Sequence, residues 1–471
     1  MTTEWQEIAG VPDSQRRHHR GLRTPAVGVA LIAAVSLLGA ACSSSDSSSS
    51  ADSSDATEST EAARVVPEGP AVGGQVNGVS APDAFTALTL TPVNSGTFPF
   101  LGTDGKYHVA YDLQLTNASK VPGSLEKIEV VDGNDPTKIV ASFTGTQLVS
   151  DNNDNGDANR LRTLPAGMAT TADIAPQESR ALFIDFTADS LDDIPKVVLH
   201  HLYGTGSPSP PAQTAGPIDY LTTPFDIDAG TPRTIASPLR GTNWIALNGC
   251  CEPGFGFPHR TSLNSVNGKL NNSQRFAIDW KRVNDQGEFF TGDKTQNDSY
   301  VDYGAEVYAV ADGTVTGVLD DVEANAPGVL PAQDPTLAAK LTVENVDGNH
   351  VILDLGGGVW AMYAHFEKGS VTVKIGDEVK VGDVLGKLGN TGNANASHLH
   401  FQLMDGPTLL GSNGLPYVLD SFTYRGQVAP SEIMNADDYL SGGFLQGRLA
   451  KGERRKDQLP LLLDIVDFPE D

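Results

Sequence analysis

His398 and His400 flank Leu399 and lead into Phe401-Gln402-Leu403, a run that reads as a strand. Side chains alternate faces along a strand, so the two imidazoles point one way while Leu399 and Phe401 point the other. Two imidazoles on one face can address one metal ion or one substrate, and the apolar residues opposite anchor the strand in a core. Alone, a His-x-His pair is as readily two ordinary strand histidines. The same half of the chain also holds His259, His350 and His365, which makes five of the ten histidines. A zinc hydrolase needs three His, Asp or Glu ligands and one open position, where bound water reaches a pKa near ~7 and becomes a nucleophile. It also needs neutral imidazoles nearby to move protons.

The segments that must position these residues are β-rich. Glu306 to Val310, Gly313 to Val318, His350 to Leu355, Trp360 to His365 and Val371 to Gly389 read as strands and tight turns. Upstream, Phe85 to Leu90, His108 to Leu115, Ile128 to Val131 and Arg180 to Phe186 alternate apolar and polar residues between turn signals. That spacing predicts an antiparallel sandwich, immunoglobulin-like in broad shape. His200 and His201 are strand neighbours pointing opposite ways, a poor ligand pair. Asp151 to Gly156 fits the first half of a calcium loop, but Arg162 stands where a bidentate Glu belongs, which favours a solvated turn. Pro- and Gly-rich stretches at 207–217 and 229–238 mark a linker. The expected folded units are therefore a sandwich over 75–233, a second domain over 234–443 and a tail over 444–471.

Composition agrees. A chain of 471 residues with 39% hydrophobic residues, 49 Gly and 29 Pro suggests two loop-rich β domains rather than helical bundles. The net charge of −27 argues against non-specific binding to nucleic acid or anionic lipid.

Residues 1–42 read as a targeting segment. Arg16, Arg17, Arg20 and Arg23 precede an apolar run from Ala26 to Ala41, too short for a span of ~20 residues, and small residues lead to Cys42. The pattern resembles a bacterial lipobox, with Gly39 where Leu is usual, and implies Cys42 as a lipidated first residue and a membrane anchor. A plain secretory signal or an uncleaved anchor is the alternative. Residues 43–74, rich in Ser, Asp and Ala, cannot bury enough surface to order themselves and read as a disordered tether. Cys250 and Cys251 can be a vicinal disulfide or two buried thiols, and without a second cysteine pair they do not make a zinc site.

The second half resembles the lysostaphin-type (LytM-like, M23) zinc metallopeptidases. The resemblance is carried, in order, by the run from Tyr303 to Val315, Gly348-Asn349-His350-Val351-Ile352, Tyr363-Ala364-His365, Val379 to Gly386 and Gly392 to Phe401. It implies an antiparallel β-sheet metallopeptidase domain with Zn2+ as cofactor and peptidoglycan peptides as substrate. His400 would be a zinc ligand, and His365 and His398 the catalytic histidines. The family's other two ligands come as a compact His-x-x-x-Asp, and here the chain departs. Its best matches are His259, in Pro258-His259-Arg260, and Asp279, in the strand-like run Arg275 to Trp280. His350 is left for a structural or substrate-groove role. The alternative to an enzyme is a non-catalytic, wall-binding or regulatory lipoprotein that keeps this fold.

Overall fold

The computed structural model describes residues 74–150, 160–164, 167, 169–209, 211–251, 263–429 and 443–470. The leader with Cys42, nearly all of the tether, the Asp151–Gly156 turn and His259 lie outside the described residues. Among the described residues no helix is long and apolar enough to cross a membrane. The expectation of a mostly β, antiparallel protein is met.

Two five-stranded sheets form the first half. One runs Leu88–Pro92, Tyr107–Asn117, Ser179–Ala188, Leu161–Thr163, with Phe100–Leu101 added alongside Tyr107–Asn117. The other runs Gly216–Asp226, Val197–Gly206, Gly123–Asp132, Ile139–Thr144, with Asp173–Ile174 on Gly123–Asp132. Alternation dictates the packing: Val109, Tyr111, Leu113 and Leu115 share one core with Ile128, Val130, Val198 and Leu202 of the other sheet. His200, fully buried there, donates from Nδ1 to the Thr223 carbonyl (2.7 Å) and accepts from the Tyr111 hydroxyl (2.8 Å). Burial pushes its pKa down to about 4, so it stays neutral and structural.

The second half is built on an eleven-stranded antiparallel sheet. Its order is Glu378–Val379, Gly313–Leu319, Asn349–Asp354, Trp360–Phe366, Leu399–Met404, Ile278–Arg282, Gly241–Leu247, Asp464–Phe468, Phe422–Gln427, Arg448–Arg455. Gly414–Leu415 pairs with Leu399–Met404. One face carries the main core, with Trp244, Ile278, Trp280, Tyr363, Leu399 and Phe401 all fully buried. Each such side chain contributes about 1.5–3 kcal/mol or more by transfer from water. Cys250 and Cys251, both buried, are placed together as a vicinal disulfide, one of the two readings open from sequence.

The two halves meet through buried surface. Opposite Val109 and Leu113, the 107–117 strand turns Ala110 and Asp112 toward the second half, so it is buried on both faces. Phe100 packs edge-on against Phe276 with ring centroids 5.6 Å apart. Thr103 N donates to the Leu459 carbonyl (3.2 Å), Leu459 N to that of Leu101 (2.9 Å), and the Thr103 hydroxyl to Asp464.

Candidate functional site

Strand register collects the candidate residues on the face opposite the main core. Asp279 pairs with His400, His400 with Ala364, and Ala364 with His350, so these four form one row across adjacent strands. Gln402 and Met404 follow His400 on the same face, while Leu399, Phe401 and Leu403 enter the core. His398 precedes its strand and His365 lies near the end of its own. The His365 ring centroid is 4.6 Å from that of His398 and 6.0 Å from that of His400.

The hydrogen bonds divide the histidines into two kinds. His365 donates from Nδ1 to the Thr391 carbonyl (2.7 Å), and His398 from Nδ1 to the Ala396 carbonyl (2.9 Å). Each therefore carries its lone pair on Nε2 when neutral. Burial lowers the pKa of both, that of His365 well below the ordinary imidazole range, so neutral bases are the resting forms. His398 keeps 14% side-chain exposure against 5% for His400. Of His365, His398 and His400 it is the one a substrate can reach most directly.

His400 is wired the other way round. Gln402 Nε2 donates to the Ser273 carbonyl (2.7 Å), which fixes its amide so that Oε1 accepts from His400 Nε2–H (2.9 Å). Neutral His400 then has its lone pair on Nδ1, which faces Asp279 Oδ1 at 2.8 Å. A lone pair facing a carboxylate is repulsive unless a cation joins them. Burial opposes an imidazolium here, but the hydrogen bond and charge of Asp279 raise the His400 pKa. A proton or a metal ion satisfies the pair, and one nitrogen with one carboxylate oxygen is a donor set zinc accepts. Asn248 Nδ2 donates to Asp279 Oδ2 (2.7 Å), and His398 Nε2 is 3.7 Å from Asp279 Oδ1. Among the described residues no group of three or more His, Cys, Asp or Glu is disposed to hold a metal ion.

Loops hold this arrangement by backbone contact. His365 has φ +68°, and its N–H donates to the Asp347 carbonyl (3.1 Å) while its own carbonyl accepts from Gly389 N (2.9 Å). The 345–349 and 389–393 turns cross at Gly348 and Gly392, both with positive φ. A Cβ on Gly392 would fall 2.1 Å from Gly348 N, so only glycine permits the crossing.

Four residues around the site were not singled out from sequence. Gln402 lies two positions after His400 on a strand, and alternation was a signal for it. Lys281 shares the face of Asp279 by the same rule. It donates to the Ser397 carbonyl (2.6 Å) and lies 3.8 Å from Asp302, whose carboxylate also takes the Ser397 hydroxyl. Asp302 comes from a distant loop and left no sequence signal. Asp347 is buried, and burial pushes its carboxyl up to about 7 despite the nearby His400. His350, the leftover histidine, donates from Nδ1 to the Gly348 carbonyl (2.9 Å) and lines the floor of the same face.

Residues 297–411 match the model of peptidase family M23. His365, His398 and His400 fall inside that segment; His259 and Asp279 precede it. The endolysin of Staphylococcus phage 2638A is 33% identical over 119 residues, 25% of this chain and 20% of that protein. The chain thus spans about a fifth of the length of that curated relative. Among solved structures, the catalytic domain of lysostaphin from Staphylococcus simulans is 22% identical, covers 32% of this chain and 80% of that one, and has a TM-score of 0.18. A zinc-containing peptidase from Vibrio cholerae is 12% identical over 69% of this chain and 83% of that one, with a TM-score of 0.22.

Proposed function

Residues 297–411 place the chain in peptidase family M23, and on that premise we propose that it is a zinc metalloendopeptidase cutting peptide bonds of bacterial cell-wall peptidoglycan. The observation that carries the reading is the opposed wiring of the histidines: Nδ1 of His400 turned to Asp279, Nε2 of His365 and His398 left as bases. Asp279 and His400 would hold zinc, with His259 as the third ligand. Zinc, when bound, supplies an acidified water and polarises the scissile carbonyl. His398 and His365 then move protons at Nε2, taking one from the attacking water and returning one to the leaving amine. Their Nδ1–H bonds to the Ala396 and Thr391 carbonyls hold each ring in the tautomer the task requires. Gln402 does the same for His400 from outside the metal.

The matched family and the relative named as an endolysin support the proposed substrate class. A leader ending at Cys42, a lipid anchor, an acidic tether and an immunoglobulin-like sandwich complete the proposal of an enzyme held in the cell envelope. One observation favours the non-catalytic alternative. Arg275 stands four residues before Asp279, where the resemblance expects a ligand histidine, and turns toward Asp112 instead.

Zinc content and peptidoglycan digestion of the full chain decide between them. Stoichiometric zinc and digestion are expected in the wild type, both lost in His400→Ala, with zinc kept but digestion lost at least ~10²-fold in His365→Ala. A folded wild type that binds no zinc from solution would falsify the enzyme reading.

A further inference from the structure

The turn between Lys269–Asn272 and Ile278–Arg282 carries contacts of two kinds. On one side it is gripped by the sandwich. Asn272 Nδ2 donates to Asp112 Oδ2 (2.7 Å), Arg275 Nη1 lies 3.4 Å from Asp112 Oδ1, and Arg275 Nη2 donates to the Ile184 carbonyl (3.2 Å). The Arg275 and Asp112 side chains are 4% and 5% exposed, so this is a buried ion pair between the two halves. Phe276, with φ +68°, packs on Phe100 of the sandwich.

On the other side the turn faces the site. The Ser273 carbonyl accepts from Gln402 Nε2, Gln402 Oε1 accepts from His400 Nε2–H, and His400 Nδ1 meets Asp279. Asp279 itself stands on the strand that leaves the turn. Both described donors of the proposed metal site are thus set by one turn, and the sandwich holds that turn.

We propose that Asp112 and Arg275 are positioning residues for the metal site: by clamping the 272–276 turn they place the Ser273 carbonyl, which fixes Gln402 and thereby the Nε2–H tautomer and aim of His400. The sandwich is then a working part of the site rather than a detachable targeting module. The zinc role of the site rests on the function proposed above; the tautomer relay does not. Asn413 Oδ1 also accepts from Asn272 N (3.1 Å), so releasing the clamp loosens the turn without freeing it.

The test uses the full chain with three substitutions. Arg275→Met removes the clamp, Asp112→Asn weakens it with little change of shape, and Tyr220→Phe removes a buried hydroxyl that bonds the Leu88 backbone inside the sandwich. Zinc affinity is measured by chelator competition, and the His400 tautomer of the metal-free protein by 15N-resolved NMR at a pH high enough to leave the ring neutral. Arg275→Met is expected to weaken zinc binding about 10–100-fold, as for other groups that orient a metal ligand, and to mix the two tautomers of His400. Asp112→Asn should move both readouts the same way by less, and Tyr220→Phe neither. A folded Arg275→Met protein with unchanged affinity and an intact Nε2–H signal overturns the proposal; should that variant not fold, Asp112→Asn decides by the same two readouts. If the wild type binds no zinc yet its tautomer depends on Arg275, the clamp stands and the zinc reading falls.

Discussion

Asp464 opens the strand that completes the sheet, and its carboxylate meets the sandwich at the Thr103 hydroxyl. It is 2% exposed. Burial raises its pKa from 3.8 to about 7, helped by Asp104, against bonds from Thr103 and the Leu461 N–H and the charge of Arg455. The folded protein therefore holds this proton to a higher pH than the unfolded chain does. Stability from this group is full below about pH 4 and is lost as pH rises toward about 7, at about 1.4 kcal/mol per unit and ~4 kcal/mol in all. Asp464→Asn removes the titration and keeps the bonds: its carbonyl, in the place of Oδ2, accepts from both Leu461 N and the Thr103 hydroxyl. Urea unfolding of both proteins should begin at pH 5, just above the sequence pI of 4.6, and continue to pH 8. The variant should gain on the wild type by about 2–3 kcal/mol across that range. The comparison cancels the other carboxylates, including those behind the net charge of −27. Parallel stability curves would mean that Asp464 is charged at little cost in the folded state, and the reasoning would fail.

Two further perturbations probe the scaffold around the site. Lys281→Met strands Asp302, fully buried, without its cation and should cost about 3–5 kcal/mol in denaturant unfolding; adding Asp302→Asn should restore most of it, and a double variant no better than the single would refute the pairing. Gly348→Ala puts a Cβ 2.4 Å from the Thr391 carbonyl carbon at φ +64°. Since Thr391 also holds His365, both thermal stability, by about 2–5 kcal/mol, and digestion should fall.

Much of the site was legible because strands write their faces into sequence. Alternation placed His400 on one face and Leu399 and Phe401 on the other, and the apolar run around Asp279 marked a buried strand beside it. The same rule would have found Gln402 and Lys281, two positions along from His400 and Asp279. What it could not show were partners fixed by tertiary contact. Ser273 acts through a backbone carbonyl that any residue would supply. Asp302 and Asp347 reach the site from turns whose composition looks like ordinary solvated loop. Asp112 lies opposite the apolar face of an alternating strand, and its burial became visible only when the second half covered it. Sheet order was equally hidden, because pairing between distant strands leaves no local pattern.

The strand Asp464–Phe468 lies between Gly241–Leu247 and Phe422–Gln427, with Ile245 facing Ile465 across the sheet. Those partners are separated by nearly the whole second half of the chain, and so distant a closure is entropically slow. As the chain is synthesised, the neighbour of the Asp279 strand keeps an open edge until residues 464–468 have emerged.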